Sequence, residues 1–391
     1  LLQLLRRSPS APTSAAAAGA SGPHQLPFAP VVISRLCLAL AAVAVRSPNG
    51  VEAYVREAFA LSQSSAAGAT ALGRGSSATV ALSLEMIKIL PQEVDGADLS
   101  RSRRLELQDQ VREHTSTVLH ALESVLAGCV AEPVAGDGVA GSGTGSGDSV
   151  GGVGQGSGGL QPGGATEEVV VAALDCLKEW AKLGVSLGGL ATDRPLLLNR
   201  VVRLLGGEGG PGAVAGGGGG AAALPMACAA SEVITELVGV KEYPRPRSRN
   251  LAVEALLGAM GKMPSLFAAA IQMEDHDSAS ILCNAVVSFA QEEMPLVAGA
   301  DGKGLHLVEL LLSLTACNLP RIPILTLDFW LELQDVPFSE RHPSLGRPVY
   351  GRLLDVLLSK CELPEGFISW DDQGADEADE ESLTELREGA Q

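Results

Sequence analysis

Apolar residues recur along this chain at spacings of three and four, in segments separated by Pro, Gly or short polar breaks. Such spacing lines one side of a helix with residues that must be covered. It predicts helices over 30–46, 51–63 and 77–90, the last closed by Pro91, and a long one over 104–129, where Leu107, Val111, Val118, Leu122 and Val125 share a side opposite Glu106, Asp109, Arg112, Glu113 and Glu123. Further helices are expected over 168–183, 194–205, 223–238, 247–260, 263–272, 277–295, 304–317, 322–334 and 347–360. Leu1–Arg7 reads as a helix end and 8–29 as an Ala/Ser/Pro loop. Strand-like alternation is nowhere sustained, so about a dozen helices must organise themselves without a sheet.

One or two globular helical domains, or a solenoid of stacked antiparallel helix pairs, satisfy that pattern. The helices recur so that pairs occupy the length of a HEAT or armadillo unit. Aromatics are 3% of the chain, and small aliphatic seams suffice when each repeat packs only on its neighbours. Both features favour an all-α solenoid, 1–391, interrupted at 8–29, 131–165 and 206–222. More than half of the 46 glycines fall in the last two segments, which cannot repay the entropy of ordering and are expected to be flexible.

The formal charge of −18 disfavours binding to a phosphate backbone and suits a basic partner. Residues 371–391 are an acidic tail, and Asp371, Asp372, Asp376, Glu377, Asp379, Glu380 and Glu381 are candidate contacts for such a partner; a solvated terminus is the plainer reading. The seven cysteines are widely spaced and odd in number, with no CxxC, and read as buried thiols. No uncharged apolar run reaches membrane-spanning length, so no membrane insertion is expected. The six histidines are scattered, and Asp275-His276-Asp277 is the one tight acid–histidine group, with Asp277 the expected cap of the following helix. Gly141–Gly147 and Gly216–Gly220 lack the Gly-Lys-Ser/Thr of a phosphate loop. No catalytic residue, metal ligand or cofactor site is therefore assigned, and the chain is not expected to be an enzyme. Trp180, Phe329 and Trp330 are assigned to packing, while Trp370 either caps the last unit or makes an exposed contact.

Several segments carry a resemblance. SRLCLALAAVAV (34–45), ILPQEV (89–94), LELQDQVREHTSTVLHALES (105–124), DCLKEWAKLG (175–184), LTLDFWLEL (325–333) and PVYGRLLDVLLSKCELPEG (348–366), with WDD and the acids before SLTELR (382–387), follow one another as in the central part of the importin-β-like nuclear transport receptors (karyopherin-β), in the transportin-3 and importin-13 branch. Leu383 and Leu386 stand where that family has aromatics, and the Gly-rich loops have no family counterpart. The resemblance implies a central fragment of a solenoid receptor that shuttles between nucleus and cytoplasm. Such a receptor carries basic or serine/arginine-rich protein cargo through the pore, contacts Phe-Gly nucleoporins and releases cargo to Ran-GTP. An importin-13-like bidirectional receptor, a helical-repeat scaffold without a transport role, and a helical enzyme whose site is unrecognised are the alternatives.

Overall fold

The computed structural model describes residues 30–68, 75–127, 166–208 and 220–361. The expected loops 8–29 and 131–165, most of 206–222, the helix end at 1–7 and the tail 371–391 lie outside them. Within them the chain is helical throughout. No strand occurs among the described residues, and the one β-bridge joins Gly299 to Arg341.

The helices, numbered along the chain, are α1 (Pro30–Arg46), α2 (Gly50–Gly68), α3 (Gly75–Gly96), α4 (Arg101–Glu113), α5 (Thr115–Ala127), α6 (Glu167–Ala181), α7 (Leu187–Asp193) and α8 (Pro195–Leu205). They continue as α9 (Gly220–Gly239), α10 (Arg247–Met260), α11 (Met263–Gln272), α12 (His276–Glu292), α13 (Met294–Val297), α14 (Leu305–Thr315), α15 (Arg321–Asp335) and α16 (Arg347–Cys361). Two rows emerge from their packing. The unbroken helices α1, α3, α6, α9, α12 and α15 each lie against the next in one row. Between them in sequence come α2, the pairs α4–α5, α7–α8, α10–α11 and α13–α14, and α16, which form a second row and cover the first from one side. This is a HEAT/armadillo-like α-solenoid: each pair buries its seam only on its neighbours, through one continuous apolar core.

The breaks in the second row depart from the expected pattern. The single helix expected over 104–129 is two, parted at His114. Leu107 and Val111 of α4 are buried, with α4 packed on α2 and α3, whereas Val118, Leu119, Leu122 and Leu126 of α5 are buried, with α5 packed on α6 and α8. One straight rod cannot serve both sets. Helix α7 was not expected; it is seven residues long with two glycines, too short to show a period, and is started by Ser186, whose hydroxyl accepts the Gly189 N–H at 3.0 Å. The expected 277–295 helix is α12 plus the single turn α13, and its cap is Asp275, not Asp277, because Asp275 accepts the Ser278 N–H at 3.0 Å. Helix α8 ends at Leu205 as expected, whereas α9 begins at Gly220, so the loop expected over 206–222 is shorter at its second end.

Pro91 does not close α3 but sits inside it. A proline in mid-helix has no N–H, so the carbonyl four residues back loses its helical donor. That carbonyl is Ile87, and it accepts the indole N–H of Trp180 from α6 at 3.1 Å. From the other side the Tyr54 hydroxyl of α2 donates to the adjacent Met86 carbonyl at 3.0 Å. The proline turn is thus held by α2 and α6 together, which joins consecutive repeats through backbone rather than by shape alone.

Candidate protein-binding face

The inner unbroken helices α3, α6, α9 and α12 are buried over most of their surface, which leaves a narrow stripe that α15 continues. On α3 the stripe carries Glu85 and Lys88, on α6 Asp175 and Lys178 with Lys182 just after it, on α9 Glu232 and Glu236, on α12 Ser280, Asn284, Ser288 and Gln291, and on α15 Asp328 and Glu332. Polar contacts across it link α1 to α3, α6 to α9 and α12 to α15, and two further pairs lie along α3 and the end of α6. The Ser34 hydroxyl of α1 donates to Glu85, Lys88 pairs with Glu85 at 2.6 Å, Lys178 with Glu232 at 3.2 Å, and the Gln291 amide donates to Glu332 at 2.9 Å. Lys182 pairs with Glu179 at 3.0 Å.

The carboxylates exceed the cations. Over α3, α6 and α9, Glu85, Asp175, Glu179, Glu232 and Glu236 face Lys88, Lys178 and Lys182. Burial pushes the Asp175 carboxyl above its ordinary range, against the pull of Lys178 and Lys88, and Glu232 and Glu85 add to the rise. Lys88 is partly desolvated, yet its hydrogen bond and charge contact with Glu85, joined by Asp175, hold its proton more tightly than usual. Extra positive charge from outside would relieve this crowding. The stripe can therefore receive a cationic chain laid across successive helices. Sequence reading missed it because its members are spread over helices far apart in the chain; the only local signal is an acidic residue repeatedly interrupting each apolar segment.

The carbonyl ends of the unbroken helices show a second recurrence. Arg104 donates to the Ala97 carbonyl after α3 at 3.1 Å, and Arg112 to Leu183 after α6 at 3.1 Å. Arg249 donates to Val238 and Val240 at the end of α9 at 3.1 and 3.0 Å, and Arg341 to Gln334 and Val336 at the end of α15. A guanidinium there satisfies carbonyls that have no helical donor and meets the negative end of the helix dipole. Arg249 is the most enclosed, its side chain 3% exposed, and it pairs with Glu242 at 3.1 Å and Glu293 at 3.0 Å. Arg245 binds the other oxygen of Glu293 at 2.6 Å. Glu242 also accepts the Gly188 N–H at 3.1 Å. Burial opposes its charge, but hydrogen bonds from Ser186, Arg249 and Gly188 hold its carboxyl below the usual range. This cluster ties α7, the α9–α10 loop and the end of α12.

The other sequence candidates are placed as follows. The acidic run Asp371–Glu381 and Trp370 lie outside the described residues, as do Cys129, His24 and Gly141–Gly147. Trp180 is fully buried on Ile87. Trp330 is buried, donates to the Thr315 hydroxyl at 2.9 Å and meets Phe329 edge-on with ring centroids 5.1 Å apart. Cys37, Cys176, Cys228 and Cys283 are buried free thiols, Cys317 and Cys361 partly so. His276 begins α12 beside its cap, His306 contacts the Leu257 carbonyl at 3.2 Å, and the His342 ring accepts the Ser344 N–H at 3.2 Å. Among the described residues no three His, Cys, Asp or Glu are grouped to hold a metal ion. Ala221–Gly239 of α9 is long and apolar enough to cross a membrane by length and composition, but it is largely buried between its neighbours and its free stripe carries Glu232 and Glu236.

Residues 29–208 match the family model described as exportin 1-like protein. No curated protein matches the sequence. Among solved structures, one of importin 13 in its cytosolic state superposes with a TM-score of 0.57 and 16% identity over 91% of this chain. The chain spans 38% of the length of that structure's chain. The stacked pairs, the two rows and the importin 13 likeness agree on the fold, an all-α solenoid of helix pairs, and over residues 29–208 the chain is similar to the exportin 1-like family.

Proposed function

We propose that the chain is the central part of a nuclear transport receptor, and that it binds protein cargo without catalysis along the acidic stripe of the unbroken helices. The observation that carries this reading is the excess of carboxylates on a stripe that crosses successive repeats. A cationic segment lying there would gain charge contacts from several helices at once, and small rotations at each repeat interface would alter its grip. Basic or serine/arginine-rich protein is the cargo chemistry that fits. Ran-GTP and Phe-Gly nucleoporins belong to the proposal as partners of the longer receptor, with shuttling between nucleus and cytoplasm.

A bidirectional receptor is better supported than one devoted to import, since the likenesses are to an exportin family model and to a structure named importin 13. A closer placement in the transportin-3 branch rests on the motif order alone. The test is binding of a labelled Arg-Ser repeat peptide to the chain and to the double variant Glu232→Lys/Glu236→Lys. A loss of about tenfold or more, shrinking as salt rises, is expected for desolvated charge pairs. Equal affinity for both proteins would remove the stripe as the cargo face. In the complete receptor, Ran-GTP should release an import cargo and tighten an export cargo; no effect on any cargo would leave the helical scaffold as the better reading.

A further inference from the structure

Two aromatic side chains among the described residues are exposed, Tyr243 at 101% and Phe338 at 80%. Both stand on the edge of the solenoid where unbroken helices end, Tyr243 between α9 and α10 and Phe338 after α15. The loops on this edge are tied together. Arg245 of the first, joined by Arg249 of α10, binds Glu293 at the end of α12, and the His342 N–H, in the loop after α15, donates to the Ala298 carbonyl, in the loop after α13, at 2.8 Å.

The backbone that carries Tyr243 is held, and the Phe338 ring meets an arginine. The residues flanking Tyr243-Pro244 are both anchored, Glu242 on Arg249 and Gly188, and Arg245 on Glu293. The Phe338 ring has the Arg341 guanidinium 4.6 Å from its centroid, and Arg341 is itself held by the Gln334 and Val336 carbonyls. A ring carried on held backbone has less freedom to lose on binding, and Tyr with Arg is the usual chemistry of an interface hot spot. The charge at Tyr243 also reverses that of the molecule. Glu242 and Glu293 are turned inward to arginines, while Lys241 and Arg247 are exposed with no carboxylate partner among the described residues.

We infer that this edge is a second docking surface, separate from the acidic stripe, for an acidic protein segment that carries apolar side chains. Its carboxylates meet Lys241 and Arg247, and its apolar residues cover Tyr243 and Phe338. The probe is a labelled peptide of alternating Glu and Phe, measured by fluorescence anisotropy with the whole chain, beside a Glu–Ser and a Lys–Phe counterpart. The Glu–Phe peptide should bind best of the three. Tyr243→Ala and Phe338→Ala should each weaken it by about thirtyfold, the scale of a hot-spot truncation, while Tyr243→Phe retains binding. Lys241→Glu/Arg247→Glu should weaken it by about tenfold and leave Lys–Phe binding no weaker. Because these side chains are exposed, thermal melts should be unchanged, which separates loss of the surface from loss of the fold. Undiminished Glu–Phe binding in the alanine variants, or equally tight binding of the Glu–Ser peptide, would overturn the inference. So would a dimer of the chain abolished by Tyr243→Ala, since the surface would then serve a second copy.

Discussion

Replacing Trp180 by Phe tests the join between consecutive repeats most directly. Phe keeps an aromatic ring in the core but removes the indole N–H and part of the ring volume. The Ile87 carbonyl then has neither the Trp180 donor nor, because residue 91 is proline, a helical one. A buried carbonyl left unsatisfied costs about 1–3 kcal/mol and the small cavity about 1 kcal/mol more, so roughly 2–4 kcal/mol should be lost. Pro91→Ala gives residue 91 an N–H aimed at Ile87. In the Trp180→Phe background that N–H fills the vacancy, so the double variant should recover about 1–2 kcal/mol relative to the sum of the single changes. Since solenoid repeats can open separately, the suitable assay is hydrogen exchange of α3 and α6 amides in all four proteins, with urea unfolding followed by far-UV circular dichroism. Strict additivity would refute the claim that Trp180 stands in for the missing proline donor. So would an α3 exchange pattern untouched by Trp180→Phe.

Arg249→Met should destabilise the chain by about 3–5 kcal/mol in urea unfolding, because it strands Glu242 and Glu293 in an enclosed site; a loss under about 1 kcal/mol would show that water reaches them. Glu242 has its folded pKa depressed, so its contribution is complete above the unfolded carboxylate range and is lost as pH falls through the folded value. Stability of the wild type should accordingly drop on acidification below the ordinary glutamate range more steeply than that of Glu242→Gln. Gly188→Ala should be destabilising by about 1–3 kcal/mol, since a Cβ there would lie 2.6 Å from a Glu242 oxygen and 2.6 Å from Pro246. Gly258→Ala, with nothing within 4 Å, should stabilise α10 by about 0.5–1 kcal/mol in the same measurement. Burial pushes the Cys37 and Cys283 thiols up to about 12 and Cys176 higher still, so native alkylation near neutral pH should spare all three until urea unfolds the chain, which mass spectrometry reads site by site.

Much of the architecture was legible in the residues. Helices α1, α6, α10, α11, α14, α15 and α16 fall close to their expected limits, because each has an apolar side of regular period bounded by Pro, Gly or a polar turn. Where the reading failed, the deciding contact lay on another helix. Nothing near His114 indicates that its two sides must pack on different repeats. Pro91 reads as a terminator until Trp180 supplies the donor that lets α3 continue. The candidate face was illegible for the same reason: Asp175, Glu232 and Glu332 are ordinary solvated acids in sequence and become neighbours of other repeats' polar groups only when the helices stack.

Taken alone, the sequence determined that this chain would be helical, that aliphatic seams rather than large aromatics would hold it, and that its charge would be strongly acidic. Those properties follow from local periodicity and composition, which survive without knowledge of the partners. The tertiary structure alone decided which helices form the unbroken row, where arginines close helix ends, and that acids on different helices align into one stripe while two exposed aromatics stand on a separate edge of the solenoid. Such properties depend on distance between residues remote in the chain, and only the stacking of repeats sets that distance.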